Sequence, residues 1–284
     1  MAKEVYKSIH GEKIIKELVI DIYDSFTEYK LHKIDINTTA GKTTILKTGQ
    51  PDKPVLLMLH GTMSNSATWF GSLKYFINDF CIYLIDIPGE PGLSEPRRIP
   101  LNSEIPQNWL LEIFDNLEIK NASIVSMSLG SWYSLNFATL HPHRVSTLAI
   151  ISTSGIVPPK VSFIFKALFF MMLGSKGLKL INNAIYYKTP QIKDDKFIKY
   201  QQNLNKYFNP VVEPIPILSN KRLKTISFPI QYFGGDHDVL LNTFKTAKRM
   251  KKLIPNIEIH ILKETGHVII DQFEKISCFI KTHV

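Results

Sequence analysis

Apolar residues along this chain come in short runs, separated by longer stretches of mixed polarity. PVLLMLHG (54–61), FCIYLIDIPG (80–89), ASIVSMS (122–128) and STLAIIST (146–153) are each mostly apolar. Strands covered on both faces read this way, as in a parallel sheet. FPIQYFGG (228–235) and IEIHILKE (257–264) add two more strands later in the chain. The intervening lengths predict helices over 66–78, 104–118, 129–141 and 243–253, and a last helix in the tail QFEKISCFIKTHV. At the start, residues 1–29 read as one or two short helices. KLHKIDINTT (30–39) then alternates like a strand, Ala40-Gly41-Lys42 reads as a turn, and TTILKTG (43–49) is its partner. These two form an antiparallel hairpin.

Strands alternating with helices predict a doubly wound, mostly parallel α/β sheet opened by that hairpin, with helices on both faces. One segment breaks the alternation. Residues 157–224 contain no clear strand and read as helices broken at Gly174, Gly177, Pro190, Pro210, Pro214 and Pro216. The expected organisation is a core formed by 1–156 and 225–284, in which 1–29 is a helical extension, with 157–224 inserted as a helical cap or lid. Phe163, Phe165, Phe169, Phe170, Met171 and Met172 supply more large apolar groups than one amphipathic face needs. In a lid, one face of such a stripe packs and the other lines a substrate cavity.

Composition narrows the class. The chain has 284 residues, 44% hydrophobic and 21% charged, which suits a globular protein able to bury a sizeable core. The first residues, MAKEVYKSIHGEKIIKEL, carry charges every few positions and contain no signal-type apolar run. No run approaches the roughly 18 apolar residues that span a bilayer. A cytoplasmic protein without a stable membrane anchor is expected. Cys81 and Cys278 lie far apart and read as buried, inert thiols. The nine histidines show no metal-site spacing, so no metal is expected. The net charge of +9 raises the question of an anionic partner. The densest cluster, Lys245 to Lys252, reads instead as the solvated face and last turn of a helix, where cations are favoured. No nucleic-acid motif accompanies it, and no nucleic-acid partner is expected. No heptad or interface signature specifies an oligomeric state.

In a doubly wound sheet, reactive groups gather on loops at the carboxyl ends of strands. The strongest polar signals stand there: His60-Gly61-Thr62, Ser128, Gly235-Asp236-His237-Asp238 and Gly266-His267. A serine hydroxyl is a nucleophile only with a base in reach and a group to orient that base. His267 supplies an imidazole, a side chain whose unperturbed pKa of about 6.5 suits proton transfer near neutrality. A carboxylate at the preceding strand end, Asp236 or Asp238, would fix its tautomer. Attack on a carbonyl creates an oxyanion that needs preorganised donors. The backbone N–H of Leu129, after Ser128 at a helix N-terminus, is one candidate. The N–H of Thr62 is the natural second, with Met63 as a weaker substitute. His60 is expected to prop the loop that carries Thr62, and Asp86 to organise the loop after its strand. Trp69, Trp109 and Trp132 read as packing residues, Trp69 being near enough to the oxyanion loop to reach the pocket.

HGTMSNSATW, DIPGEPGLS, SMSLG, GGDHD and TGH, in this order, resemble the α/β-hydrolase family, whose chain order is Ser…Asp…His. The stretch from Trp109 to Gly155 resembles the single-domain bacterial carboxylesterases. The resemblance implies ester hydrolysis through an acyl-Ser128 intermediate, without metal or organic cofactor; with the apolar helical lid, the expected substrates are small to medium esters with an apolar acyl or alcohol part. The family pattern G-x-x-D, anchored at Gly235, selects Asp238 over Asp236. Two departures stand out. Ser126 replaces the first glycine of the usual G-x-S-x-G elbow, and Gly89-Glu90-Pro91-Gly92 is one residue longer than the common P-G-x-G-x-S form. The longer loop is expected to shape the pocket more than the chemistry. Acyl transfer or carbon–carbon bond hydrolysis would use the same side chains. A binding or sensing protein with a residual site, and a surface-active lipase, are the remaining alternatives.

Overall fold

The computed structural model describes residues 4–191, 194–211 and 213–284. The chain opens with helix α1 (Ile9–Ser25), followed by strands β1 (His32–Thr38), β2 (Gly41–Gly49) and β3 (Val55–Leu59). A 3₁₀ segment, Ser66–Tyr75, leads to β4 (Cys81–Ile85) and α2 (Ile105–Asn116). β5 (Ala122–Met127), α3 (Leu129–Ala138) and β6 (Val145–Ile151) follow. Between β6 and β7 lie α4 (Val161–Met171), α5 (Gly174–Tyr186), α6 (Asp195–Tyr207) and the single turn α7 (Asn220–Leu223). β7 (Ile230–Gly235), α8 (Thr243–Leu253), β8 (Ile257–Leu262) and α9 (Phe273–Lys281) complete the chain.

The eight strands form one sheet in the order β1-β2-β4-β3-β5-β6-β7-β8. β1 pairs antiparallel with β2, and β2 antiparallel with β4; every other neighbouring pair is parallel. Strand periodicity divides the core in two. Leu57, Leu59, Tyr83, Ile85 and Ile124 face a cluster built with α2, α3 and α8. Their neighbours Leu56, Met58, Ile82, Leu84 and Val125 face the opposite cluster, built with α1, the 3₁₀ segment and α9. Both faces are therefore dry, which explains why the central strands are apolar throughout.

Three features differ from expectation. The segment expected as a helix over 66–78 is 3₁₀ rather than α-helical. Cys81 is buried, but Cys278 on α9 is exposed, so only one of the two thiols is enclosed. Within the cationic stretch of α8, Arg249 is not a solvated charge. Its guanidinium donates to the carbonyls of Ile156 and Leu218 and to Asn220 Oδ1, tying α8 to both ends of the inserted segment.

The first helix is not an appendage. Tyr6 bridges to Phe208, Gly11 lies against Tyr207, and Ile15, Val19 and Tyr23 are buried. Of the apolar stripe before Gly174, Phe163 is buried, whereas Phe169 and Met172 are 61% and 84% exposed. The side chains of Phe165 and Met171 lie outside the described residues. No described helix is long and apolar enough to cross a membrane.

Candidate functional site

Parallel strands point their carboxyl ends the same way, so the loops after β3, β4, β5, β7 and β8 meet on one edge. The sharpest of these turns follows β5. Ser128 takes φ 51° and ψ −113°, a conformation that non-glycine residues rarely adopt. Its N–H donates to Ile151 O on β6 at 2.9 Å, and α3 starts at the next residue. The turn is tight because α3 runs directly over β3. A Cβ on Gly130 would stand 2.4 Å from the carbonyl oxygens of Leu59 and His60.

The Ser128 hydroxyl lies 3.1 Å from His267 Nε2, and His267 Nδ1 lies 2.8 Å from Asp238 Oδ2. The three side chains are thus linked in series. The other oxygen of Asp238 accepts the N–H groups of Leu240 and Leu241 at 2.8 and 2.9 Å. Asp238 is only 1% exposed. Burial alone would push its carboxyl pKa up. The facing His267 ring and the two backbone donors outweigh that and hold it below the ordinary carboxylate range. An ionised Asp238 accepts the Nδ1–H of His267, which leaves Nε2 free to accept the serine proton. Asp236 is turned away. It pairs with the neighbouring ring of His237 at 2.7 Å and accepts Thr265 N–H at 3.2 Å.

The loop after β3 lies opposite. A Cβ on Gly61 would stand 3.2 Å from Ser128 Cβ, so this backbone approaches the serine closely. The N–H groups of Thr62 and Leu129 have no hydrogen-bond partner among the described residues. The Met63 N–H is already engaged, donating to Glu90 Oε2 at 2.7 Å. His60 is fully buried. Its Nδ1–H donates to Gly61 O at 2.8 Å, while its Nε2 accepts the Ile87 N–H at 3.0 Å. Burial pushes its pKa down, against the pull of Asp86 and Gly61 O, and keeps the ring neutral with one donor and one acceptor. Asp86 accepts Ser66 N–H and Oγ–H, Tyr23 Oη–H and Leu93 N–H. It thereby joins the loop after β4 to α1 and to the 3₁₀ segment.

Several groups at the site carry no motif in the sequence. Ser152 donates to His267 O at 2.7 Å, and Ile185 at the end of α5 accepts His267 N–H at 2.8 Å. Lys160 Nζ donates to Asp238 O at 2.7 Å. Glu90 reaches the loop of Thr62. The only advance sign of the last was the unusual length of its loop. Trp69 lies in the core, edge-on to Phe273, and does not reach the site. A cavity of about 320 Å³ lies beside Leu129, lined among others by Pro88, Glu90, Ile99, Leu101 and Tyr133. Its walls come from Glu4, from the loop after β4, from α3 and from Asn209, Pro210, Val211 and Glu213; among the described residues, none of the stripe on α4 lines it.

Known proteins resemble this chain over most of its length. The family described as the alpha/beta hydrolase fold matches residues 54–178. The uncharacterised carboxylesterase nap of Bacillus subtilis is 27% identical over 240 residues, covering 82% of this chain and 80% of that protein. Carboxylesterase YbfK of the same organism is 25% identical over 82% of this chain and 81% of its own length. The crystal structure of naproxen esterase from Bacillus subtilis superposes with a TM-score of 0.80 at 24% identity, covering 94% of this chain and 95% of that one. The chain is an α/β-hydrolase-fold protein, carboxylesterase-like in sequence.

Proposed function

We propose that the protein is a serine hydrolase that cleaves carboxylic esters of small to medium apolar substrates through an acyl-Ser128 intermediate. The observation that carries this reading is the unbroken series Ser128 Oγ, His267 and Asp238, at 3.1 and 2.8 Å, at the edge of the sheet. The carboxylesterase relatives support an ester hydrolase on this fold. The apolar walls of the cavity beside Leu129 favour an uncharged acyl or alcohol part.

In the first half-reaction, Ser128 Oγ bonds to the ester carbonyl carbon as its proton passes to His267 Nε2. The N–H groups of Thr62 and Leu129 receive the negative charge that builds on the carbonyl oxygen. Asp238 stabilises the imidazolium. The tetrahedral species collapses by breaking the ester C–O bond, and the His267 proton leaves with the alcohol. Water repeats the sequence on the acyl-serine and releases the acid. Narrowing from ester hydrolase to this mechanism rests on one test. Purified protein should release p-nitrophenol from short acyl esters, and Ser128→Ala should lower kcat by several orders of magnitude, about 10⁶ where such a set acts as a unit. An unchanged rate in the variant refutes the assignment.

A further inference from the structure

We propose that Glu90 is a positioning residue for the oxyanion loop: its carboxylate holds the Met63 N–H and so fixes the direction of the neighbouring Thr62 N–H. This rests on the function proposed above.

The argument begins with peptide planarity. The Gly61 carbonyl and the Thr62 N–H belong to one planar trans unit and point in opposite directions. His60 Nδ1–H grips that carbonyl at 2.8 Å. The next plane, Thr62 to Met63, is gripped by Glu90 Oε2 through the Met63 N–H at 2.7 Å. With both flanking planes held, the backbone at Thr62 has little freedom to turn its N–H away. Such a hold is needed, because Met63 itself sits at φ 55°, which is unfavourable for a non-glycine residue.

Glu90 is built for this task rather than placed there for solubility. It is only 2% exposed. Its second oxygen pairs with Arg98 Nη1 at 3.2 Å, and that nitrogen also donates to Gly89 O at 2.6 Å. The other end of the guanidinium donates to Asn209 O, just beyond α6, and the group lies over the Phe208 ring. The carboxylate is therefore anchored from the loop after β4 and from the end of the inserted segment. The titratable and charged groups around it are Arg98, which pairs with it, Tyr6 from the amino-terminal segment, Tyr133 from α3 and Tyr200 from α6, each within electrostatic reach, and Glu4 and Glu213, which line the same cavity. Burial pushes the Glu90 carboxyl up to about 7, against the opposing pull of Arg98 and of the Met63 N–H. Only the ionised carboxylate offers a charge-assisted acceptor to Met63. The loop is consequently held best at pH 8 and loosens as pH falls through 7.

Glu90→Gln copies the neutral form. At pH 8 it should lower kcat about tenfold with KM within about twofold, a smaller effect than the roughly 10²–10³ for deleting a donor outright. A trifluoromethyl ketone, which forms a tetrahedral oxyanion adduct on the serine, should lose affinity by the same factor. The ratio of wild-type to variant kcat should then shrink towards one as pH falls from 8 to 5.5. Groups remote from Glu90 act on both proteins and cancel in that ratio. Equal kcat values at pH 8, a pH-independent ratio, or a loss confined to KM with unchanged ketone affinity would overturn the proposal. If Glu90→Gln does not fold, Glu90→Asp keeps a charge beside Arg98 but withdraws the acceptor by one methylene. It should show the same kcat and ketone losses, and a wild-type kcat overturns the idea. Wild-type protein that neither hydrolyses esters nor labels at Ser128 with a fluorophosphonate overturns the function and Glu90's role together. A fully active, labelled wild type matched by Glu90→Gln overturns the role alone.

Discussion

Ser126 stands where the usual elbow has a glycine. It lies in β5 between Leu59 and Ile150 of the neighbouring strands, and its Cβ is accommodated there. Its hydroxyl is not: Oγ is buried without a hydrogen-bond partner among the described residues. An unpaired buried polar atom costs about 1–3 kcal/mol. Ser126→Ala removes the atom and keeps the Cβ, so urea unfolding should show a gain of about 1 kcal/mol. Because the backbone of Ser128 is untouched, kcat should stay within about twofold of wild type. A loss of stability would mean that the hydroxyl is hydrogen-bonded in solution. This residue also shows where sequence reading stops. Ser128 and His267 are legible because each pairs a chemical type with a strand end; Asp238 shares that signal with Asp236, and only the register of the family pattern separates the two. Glu90 is not legible. A glutamate in a Pro/Gly-rich loop reads as solvated, and only the fold reveals that its carboxylate is enclosed and aimed at a neighbouring amide. Ser152, through its hydroxyl, and Ile185, through its carbonyl, hold the backbone of His267 from distant points of the chain, which no local sequence pattern announces.

Strands and helices differ in how plainly the chain announces them. All six central and late apolar runs are strands; β3 to β7 are enclosed on both faces, which leaves a near-continuous apolar signature, whereas the edge strand β8 alternates and is only half-buried. The 3₁₀ segment after Asn65 is less legible. Its amino end is held by the Asn65 side chain on Ala67 N–H and by Asp86 on Ser66 N–H, contacts that depend on the loop across from it. The helices between β6 and β7 are legible as helices but not in their docking. α5 ends against the loop of His267: Ile185 O takes the His267 N–H, Thr189 Oγ1 donates to Val268 O, and Lys188 pairs with Glu264. Gly266 permits this contact, since a Cβ there would stand 2.5 Å from Ile185 O and 3.0 Å from Tyr187 Cβ. Gly266→Ala should therefore push α5 off the loop. Overpacking of this kind costs about 1–3 kcal/mol. A thermal melt should show that loss, and kcat should fall about tenfold or more as His267 shifts relative to Ser128. Wild-type kcat in a destabilised variant would show that α5 supports the fold but not the site.

Taken whole, the molecule is cross-braced between its most distant segments. The amino-terminal stretch pairs with the end of α6 through Tyr6 and Phe208, and Lys7 N–H donates to Tyr207 O. Arg98 joins the loop after β4 to Asn209, and Arg249 joins α8 to Ile156 and Leu218. Lys160 ties the start of the insertion to Asp238, and Ile185 ties its middle to His267. An inserted segment held at its start, middle and end should not melt separately from the sheet, although a chain of this length is large for two-state behaviour. The tryptophans offer a direct test. Trp69, Trp109 and Trp132 are all fully buried in the core, but Trp132 Nε1 donates to Pro216 O, so the probe is a Trp132→Phe variant, in which Trp69 and Trp109 follow the sheet. Far-UV circular dichroism also follows α4, α5 and α6. The two signals should give superimposable urea transitions with one midpoint. Loss of helical signal before any change in fluorescence would mean that the insertion opens as its own unit. The exposed Phe169 and Met172 would then mark the face where that opening starts.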